Sequence, residues 1–354
     1  MDKTVKNILF IIPVQYGYHT DPYKYCEILS EYYNVTYLGL ALGKKECLSQ
    51  KVNVYSVAKG NSLSWRYNLY RAAKKLKTQT NFDVVFISSF PLCSLFLFLF
   101  PRKSLIMDVR TSVIEGKYKS IILNHLLKFE STFFKRISVI SMGVINFLHL
   151  NKSKCRILPL GGDEQPQVEK SKEQISLLYV GTFYDRHIEK TIDGFAMFVQ
   201  KHPDWKVSYT IVGIGSDSEK KEIIDRIVQY KLNNVHFVGE KRHEELVPYL
   251  KSHNVGISYI PLTNYYDCQP PTKTYEYLLS SMIVVATPTT ENKKVINSKN
   301  GILLQSDSPL DFAKGLEQLW LLKDSFDFKE IFREAQKYSW TNIVHNYLIP
   351  IIED

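Results

Sequence analysis

Cysteine is scarce and unpaired in this 354-residue chain: Cys26, Cys47, Cys93, Cys155 and Cys268 stand far apart, odd in number and without a CxxC spacing. The pattern excludes a disulfide-stapled scaffold and a cysteine-based zinc site, and predicts reduced, mostly buried thiols in a cytosolic protein. No Asp-x-Asp pair occurs, and the nine histidines include neither HxH nor HxxxH. Metal-ligating residue types therefore never gather at ligand spacing, and no metal site is expected. Long apolar runs are also missing. The longest, Phe90 to Pro101, has twelve residues, short of the ~20 that a membrane-spanning helix needs. The polar Met1–Asn7 stretch runs straight into an apolar strand, so no signal peptide is expected. Fixed-period repeats and low-complexity tracts are absent, which argues against a solenoid.

What is present is ample material for packed cores: 45% hydrophobic, 13% aromatic and 23% charged residues. That balance excludes a disordered or collagen-like chain. At ~100–200 residues per domain, the length predicts two domains. Charge is uneven. Residues 1–165 carry 23 Lys/Arg against 11 Asp/Glu, whereas residues 166–354 carry 22 against 25. A basic first half suits nucleic acid, an anionic membrane surface or a phosphorylated substrate. No nucleic-acid module accompanies the charge, which weakens the first of these.

Short apolar runs alternate with helical patterns, the signature of βαβ units and parallel sheets. In the first half the strands fall at Asn7–Pro13, Val35–Leu38, Val52–Tyr55, Asp83–Ser88, Leu105–Met107, Arg136–Ser141 and Cys155–Pro159. A polar stretch from Leu160 to Glu173, opened by Gly161-Gly162-Asp163, marks a linker. The alternation restarts at Ile175–Val180 and continues through Val207–Val212, Val235–Val238, Val255–Tyr259, Ile283–Ala286 and Gly301–Leu304. Two consecutive open α/β domains follow from this order.

Three segments carry candidate chemistry. Gly181-Thr-Phe-Tyr-Asp-Arg186 follows a strand and precedes a helix, so backbone amides and Arg186 are placed to meet an anion, although a plain βα turn reads the same way. Gly213-Ile-Gly215 sits at another strand end, but position 218 is Ser, so the third glycine of a dinucleotide fingerprint is missing. In Pro270-Pro-Thr272-Lys273-Thr274-Tyr-Glu276, prolines announce a helix on whose first turns Lys273 and Glu276 share a face. Lys273 suits a phosphate and Glu276 a sugar diol; a capped helix with a surface ion pair is the plainer alternative.

Read together, Tyr179-Val-Gly-Thr, the Val-His-Phe-Val-Gly run ending at Gly239, Asn254–Pro261, Pro270–Thr287 and Tyr338-Ser-Trp340-Thr resemble family 4 of the retaining glycosyltransferases, of bacterial surface-polysaccharide type. The resemblance covers the second half almost throughout and the first half loosely. It implies the GT-B fold: two Rossmann-like domains facing across a cleft, with a C-terminal helix crossing back to the first. The expected boundaries are 1–163 plus about 336–354 for the acceptor domain and 164–335 for the donor domain.

The resemblance also implies roles. Glu276 is the second carboxylate of the family's paired-glutamate motif and holds the ribose hydroxyls, while the first glutamate is replaced by Cys268, with Asp267 next to it. Thr182 stands where an arginine is usual, Arg186 falls near a lysine position, and Lys273 supplies a second charge on the diphosphate. Gly17, Gly181, Gly213, Gly239, Thr272 and Thr274 complete the donor contacts. Asp108 and Arg110 occupy the place of a strand-end histidine near the sugar, and with Arg186 and Lys273 form the expected catalytic set; a simple ion pair between Asp108 and Arg110 is the alternative. The implied activity is metal-independent transfer from a nucleotide-sugar, UDP-hexose by the family's habit, to a saccharide acceptor, with no cofactor. A nucleotide-sugar epimerase of similar fold is the alternative enzyme. Two basic, apolar-interleaved segments, Ser64–Thr78 and Lys117–Arg136, suit an anionic membrane face, the alternative being apolar residues that line the domain's own core under a solvated basic rim. The resemblance implies a lipid-diphosphate-linked acceptor.

Overall fold

The computed structural model describes residues 5–44, 47–61, 63–113 and 117–354. The chain divides into two compact units, Met1–Leu160 with Trp340–Asp354, and Gly161–Ser339. In the first, β1 (Asn7–Ile11), β2 (Asn34–Ala41), β3 (Asn53–Ala58), β4 (Val84–Ser88), β5 (Leu105–Val109), β6 (Arg136–Val139) and β7 (Cys155–Ile157) form one sheet. Its order is β3-β2-β1-β4-β5-β6-β7, parallel at every pair. In the second, β8 (Ile175–Thr182), β9 (Val207–Ile214), β10 (Val235–Gly239), β11 (Val255–Ser258), β12 (Ile283–Ala286) and β13 (Gly301–Leu303) form a sheet of order β10-β9-β8-β11-β12-β13, again parallel.

The central strands lie where the apolar runs predict them because they are covered on both faces, whereas the edge strand β3 is exposed. A strand without a wet face must be apolar at every position. Ile8, Leu9, Phe10 and Ile11 of β1 are all fully buried, as are Val284, Val285 and Ala286 of β12. The strand order reverses between β1 and β4 and again between β8 and β11. In open parallel sheets, ligands bind outside the carboxyl ends of strands at such a reversal.

The C-terminal segment completes the first unit. Lys6 Nζ and Tyr33 Oη both donate to the Glu353 carboxylate, at 2.7 and 2.8 Å. Trp340 meets Tyr25 edge-on with ring centroids 5.8 Å apart. In the second unit, buried Lys170 donates to the carbonyls of Leu250, Lys251 and His253 at 2.7, 3.2 and 2.5 Å. A cation there satisfies the open carbonyls at the end of the helix His243–Ser252.

Gly213 serves packing. It pairs with Gly181 across β8 and β9, and a Cβ on it would stand 1.8 Å from the Gly181 carbonyl oxygen. Glycine is needed there because the two strands approach closely.

Candidate functional site

The carboxyl end of β8 gathers the second unit's unusual chemistry. Gly181 has φ +151°, a conformation that side-chain-bearing residues rarely adopt. Tyr179, fully buried, donates its hydroxyl to the Thr182 carbonyl at 2.7 Å and so fixes the turn. Lys273, from the helix Thr272–Leu278, lays its Nζ 3.9 Å from the centre of the Tyr179 ring. The same amine would lie 3.0 Å from a Cβ at Gly181. Only glycine leaves room for it.

The Lys273 Nζ is buried and has no hydrogen-bond partner among the described residues. Burial, reinforced by the nearby Arg186 charge, pushes its pKa well below the usual lysine range, with Glu276 opposing the shift. Arg186 stacks its guanidinium 4.0 Å from the centre of the Tyr266 ring, and its Nη1 is likewise buried and unpartnered among the described residues. Desolvated cations without acceptors are costly, and such groups concentrate where a ligand of opposite charge is bound.

The remaining donor-side candidates separate into two groups. Glu276 lies one turn beyond Lys273 and borders a narrow recess with Asp163, Gln165 and Val180. Thr182 is half-buried at the end of β8, Thr272 opens the Lys273 helix, and Gly239 closes β10 with φ +81° and open space around it. Thr274, by contrast, is fully buried. Its hydroxyl bonds to Ser258 Oγ at 2.7 Å and donates to Asn292 Oδ1 at 3.0 Å, so it supports the site from beneath and presents nothing to a ligand.

Position 268 offers no carboxylate substitute. Asp267 accepts from the Thr290 amide and hydroxyl at 2.8 and 2.6 Å, which commits it to the start of the helix Thr290–Val295. The Cys268 thiol is buried, donates to the Tyr265 carbonyl at 3.1 Å, and is pushed up to about 11 by burial. A neutral thiol therefore stands where the family resemblance expects an acid.

In the first unit, Asp108 and Arg110, expected near the sugar or paired with each other, are tied into the protein. Asp108 is buried, accepts from Ser138 Oγ at 2.6 Å and lies 4.0 Å from Arg110 Nε. Burial pushes its carboxyl up to about 6 against the opposing Arg110 and Ser138. Arg110 spends its guanidinium on Asp21 through Nε and Nη2, at 3.1 and 2.9 Å, and on the Leu158 carbonyl through Nη1 at 2.7 Å. These residues knit strand ends together, and Arg110's partner is chiefly Asp21. Gly17 is exposed with φ +81° in the loop after β1. Beside that loop is a polar 480 Å³ cavity lined by Gln15, Tyr16, Lys44, Ser49 and Ser56.

Motif reading missed Tyr179 and Tyr266, the rings that hold the two unpartnered cations. Tyr179 reads only as the first residue of the Tyr179-Val-Gly-Thr run and Tyr266 as a loop aromatic, so neither announces a contact with a cation. Among the described residues, no group of three or more His, Cys, Asp or Glu could hold a metal ion. No described helix is long and apolar enough to cross a membrane.

Residues 174–321 match the family described as glycosyl transferases group 1. An uncharacterised glycosyltransferase of Methanocaldococcus jannaschii is 24% identical over 195 residues, which is 52% of this chain and 47% of that protein. The match thus spans about half the length of that curated relative. Sucrose-phosphate synthase from Thermosynechococcus elongatus is similar in structure, with a TM-score of 0.74 at 14% identity over 96% of this chain and 97% of that one. HepE of Anabaena in complex with UDP gives 0.77 at 13% identity over 98% and 99%, and the same protein is solved with UDP-glucose. The lipopolysaccharide outer core galactosyltransferase WaaB gives 0.72 at 14% identity over 97% and 99%. These likenesses establish the fold: the protein is built from the two Rossmann-like units of the GT-B class.

Proposed function

We propose that the protein is a retaining, metal-independent glycosyltransferase that moves a hexose from a UDP-linked donor to a hydroxyl of a lipid-linked saccharide in surface glycan synthesis. The observation that carries this reading is the pair of buried, unpartnered cations, Lys273 and Arg186, at the carboxyl end of β8. A diphosphate supplies the acceptors that both groups lack. The family match over residues 174–321 and the UDP complexes of HepE support the donor class.

In the proposed reaction the acceptor hydroxyl oxygen forms a bond to the anomeric carbon as the bond from that carbon to the diphosphate oxygen breaks. Attack and departure share one face of the sugar, and the acceptor's proton passes to the departing phosphate oxygen. Negative charge grows on the diphosphate during this step, so preorganised cations there stabilise the transition state more than the ground state. Arg186 and Lys273 fill that role, and no metal is required in it. Glu276 accepts from the ribose hydroxyls, and the open turn at Gly239 borders the base. The first unit takes the acceptor, and its basic surface docks on the inner face of the cell membrane.

Calorimetric titration with UDP, GDP and ADP tests the donor class, with UDP expected to bind most tightly. Failure of all three to bind removes the reading. The anomeric configuration of the product, read by NMR with chelator present, tests the rest: an inverted product or loss of turnover in chelator contradicts the proposed chemistry.

A further inference from the structure

The first unit carries an apolar groove at the substrate end of its sheet. Phe90 follows the carboxyl end of β4, one of the two strands at the order reversal, and leads into the 3₁₀ turn Cys93–Phe98. Facing this segment is the helix Ser64–Gln79. Between them, Tyr67, Tyr70, Phe90, Leu95, Phe96 and Phe98 line a cavity of 410 Å³, within the ~300–1,000 Å³ of small-molecule sites. Arg66 is the charged residue on its wall, and it bridges the two sides: Nε donates to the Pro91 carbonyl at 2.9 Å while the guanidinium covers the Trp65 ring at 4.3 Å.

The groove is held open by buried polar structure. Glu130, from the helix Lys117–Phe133, is 3% exposed and accepts from the Leu92 and Ser94 amides at 2.9 and 2.7 Å and from Cys93 Sγ at 3.6 Å. Leu92 itself takes a left-handed conformation, φ +73°, which is strained for a leucine. This arrangement turns Leu95 and Phe98 outward, at 42% and 82% exposure. Phe98 gains little folding free energy there, and clustered apolar exposure of this kind marks an interaction site.

Charge at the rim is of one sign. Arg71, Lys74 and Lys75 are exposed on the helix, and the Arg71 guanidinium lies 5.6 Å from the centre of the Tyr67 ring. From Cys47 to Met107 the single acidic residue is Asp83, and it is engaged with the Asn7 amide at the opposite, amino end of β4. An apolar groove with a cationic rim fits a hydrocarbon chain that ends in an anion.

We infer that this groove binds the hydrocarbon chain of the acceptor, a single long chain esterified to phosphate, with the phosphate among the rim cations. The inference rests on the transferase reading for what that phosphate carries. It also assigns the exposed turn at Phe98 to substrate recognition.

The test uses a diazirine-tipped hexadecyl phosphate, dissolved as monomer, with photo-adducts mapped on the full chain by mass spectrometry. Adducts are expected, saturably, on residues 63–70 and 90–98. Leu95→Glu and Phe98→Glu each place a charge in the apolar wall and should cut labelling about tenfold or more, with melting temperature and UDP affinity unchanged. Both side chains are exposed, so folding is not at stake. Labelling that survives both variants, or maps to the outer face of Lys117–Phe133, overturns the inference. So does labelling that appears only with phosphatidylglycerol vesicles, which would make the turn a bilayer contact. The parallel UDP titration separates the two readings: groove labelling without UDP binding removes the proposed donor, and UDP binding without groove labelling removes only the groove.

Discussion

The two units repeat one strand order yet finish it with opposite chemistry. At the end of β5 in the first unit, Arg110 has an acceptor for each nitrogen of its guanidinium. At the end of β8 in the second, Lys273 and Arg186 hold buried nitrogens without acceptors. The contrast runs against bulk charge, because the first half of the sequence is strongly basic and the second slightly acidic. Net charge describes the field around a protein; an anion site is made by desolvated donors left unpaired.

This comparison can be broken at several points. Arg110→Ala should have the largest effect, about 3–5 kcal/mol off the first unit's stability, because Asp21 and buried Asp108 lose their counter-charge. Urea denaturation measures it, and UDP affinity should not move; a weakened UDP isotherm would make Arg110 part of the donor site. Asp108 gives the next effect. Its folded pKa of about 6 exceeds the unfolded value, so its contribution is fully present below about pH 4 and is lost as pH rises through 6, up to roughly 3 kcal/mol. Asp108→Asn lacks that loss, so relative to wild type it should be more stable at neutral than at acid pH. An equal difference at both would contradict the burial argument.

Smaller effects sharpen the donor side. Glu276→Ala should weaken UDP binding by about 1.5–3 kcal/mol through lost charge-assisted hydrogen bonds, with ADP and GDP affected alike if the ribose is the partner. Asp267→Ala should cost roughly 1 kcal/mol of stability by freeing the Thr290 amide and hydroxyl, and leave donor affinity intact. A drop in donor affinity would return Asp267 to the sugar contact that its geometry denies it.

The central strands were legible because burial on both faces writes them as continuous apolar runs, as in Asn7–Pro13 and Ile283–Ala286. The parallel sense of the strands was implied by alternation, since parallel neighbours need crossover connections; their order was not. Gly181, Arg186, Lys273 and Glu276 could be singled out because strand-end glycine and helix-start lysine have few structural uses together. Asp108 and Arg110 were harder to place: their chief partners, Asp21, Ser138 and the Leu158 carbonyl, are distant in sequence and leave no local pattern. Thr274 looked like a ligand group because its neighbours do, although its hydroxyl turns inward to Ser258 and Asn292. The Phe90–Pro101 run read only as too short to span a membrane. Its outward Phe98 depends on Glu130, more than thirty residues away.

The central claim is that Lys273 and Arg186 await a diphosphate, and calorimetric titration of UDP into wild type and Lys273→Met tests it most directly. Burial and the Arg186 charge push the Lys273 pKa down, with Glu276 opposing, so a bound diphosphate should shift it back up. Wild-type affinity should therefore fall as pH rises, with proton uptake seen as a buffer-dependent heat. Lys273→Met should lose about tenfold or more in affinity, lose that pH dependence, and melt no lower than wild type, since a buried amine without a hydrogen-bond partner among the described residues has been removed. Equal UDP affinity and equal pH dependence in the two proteins would contradict the account.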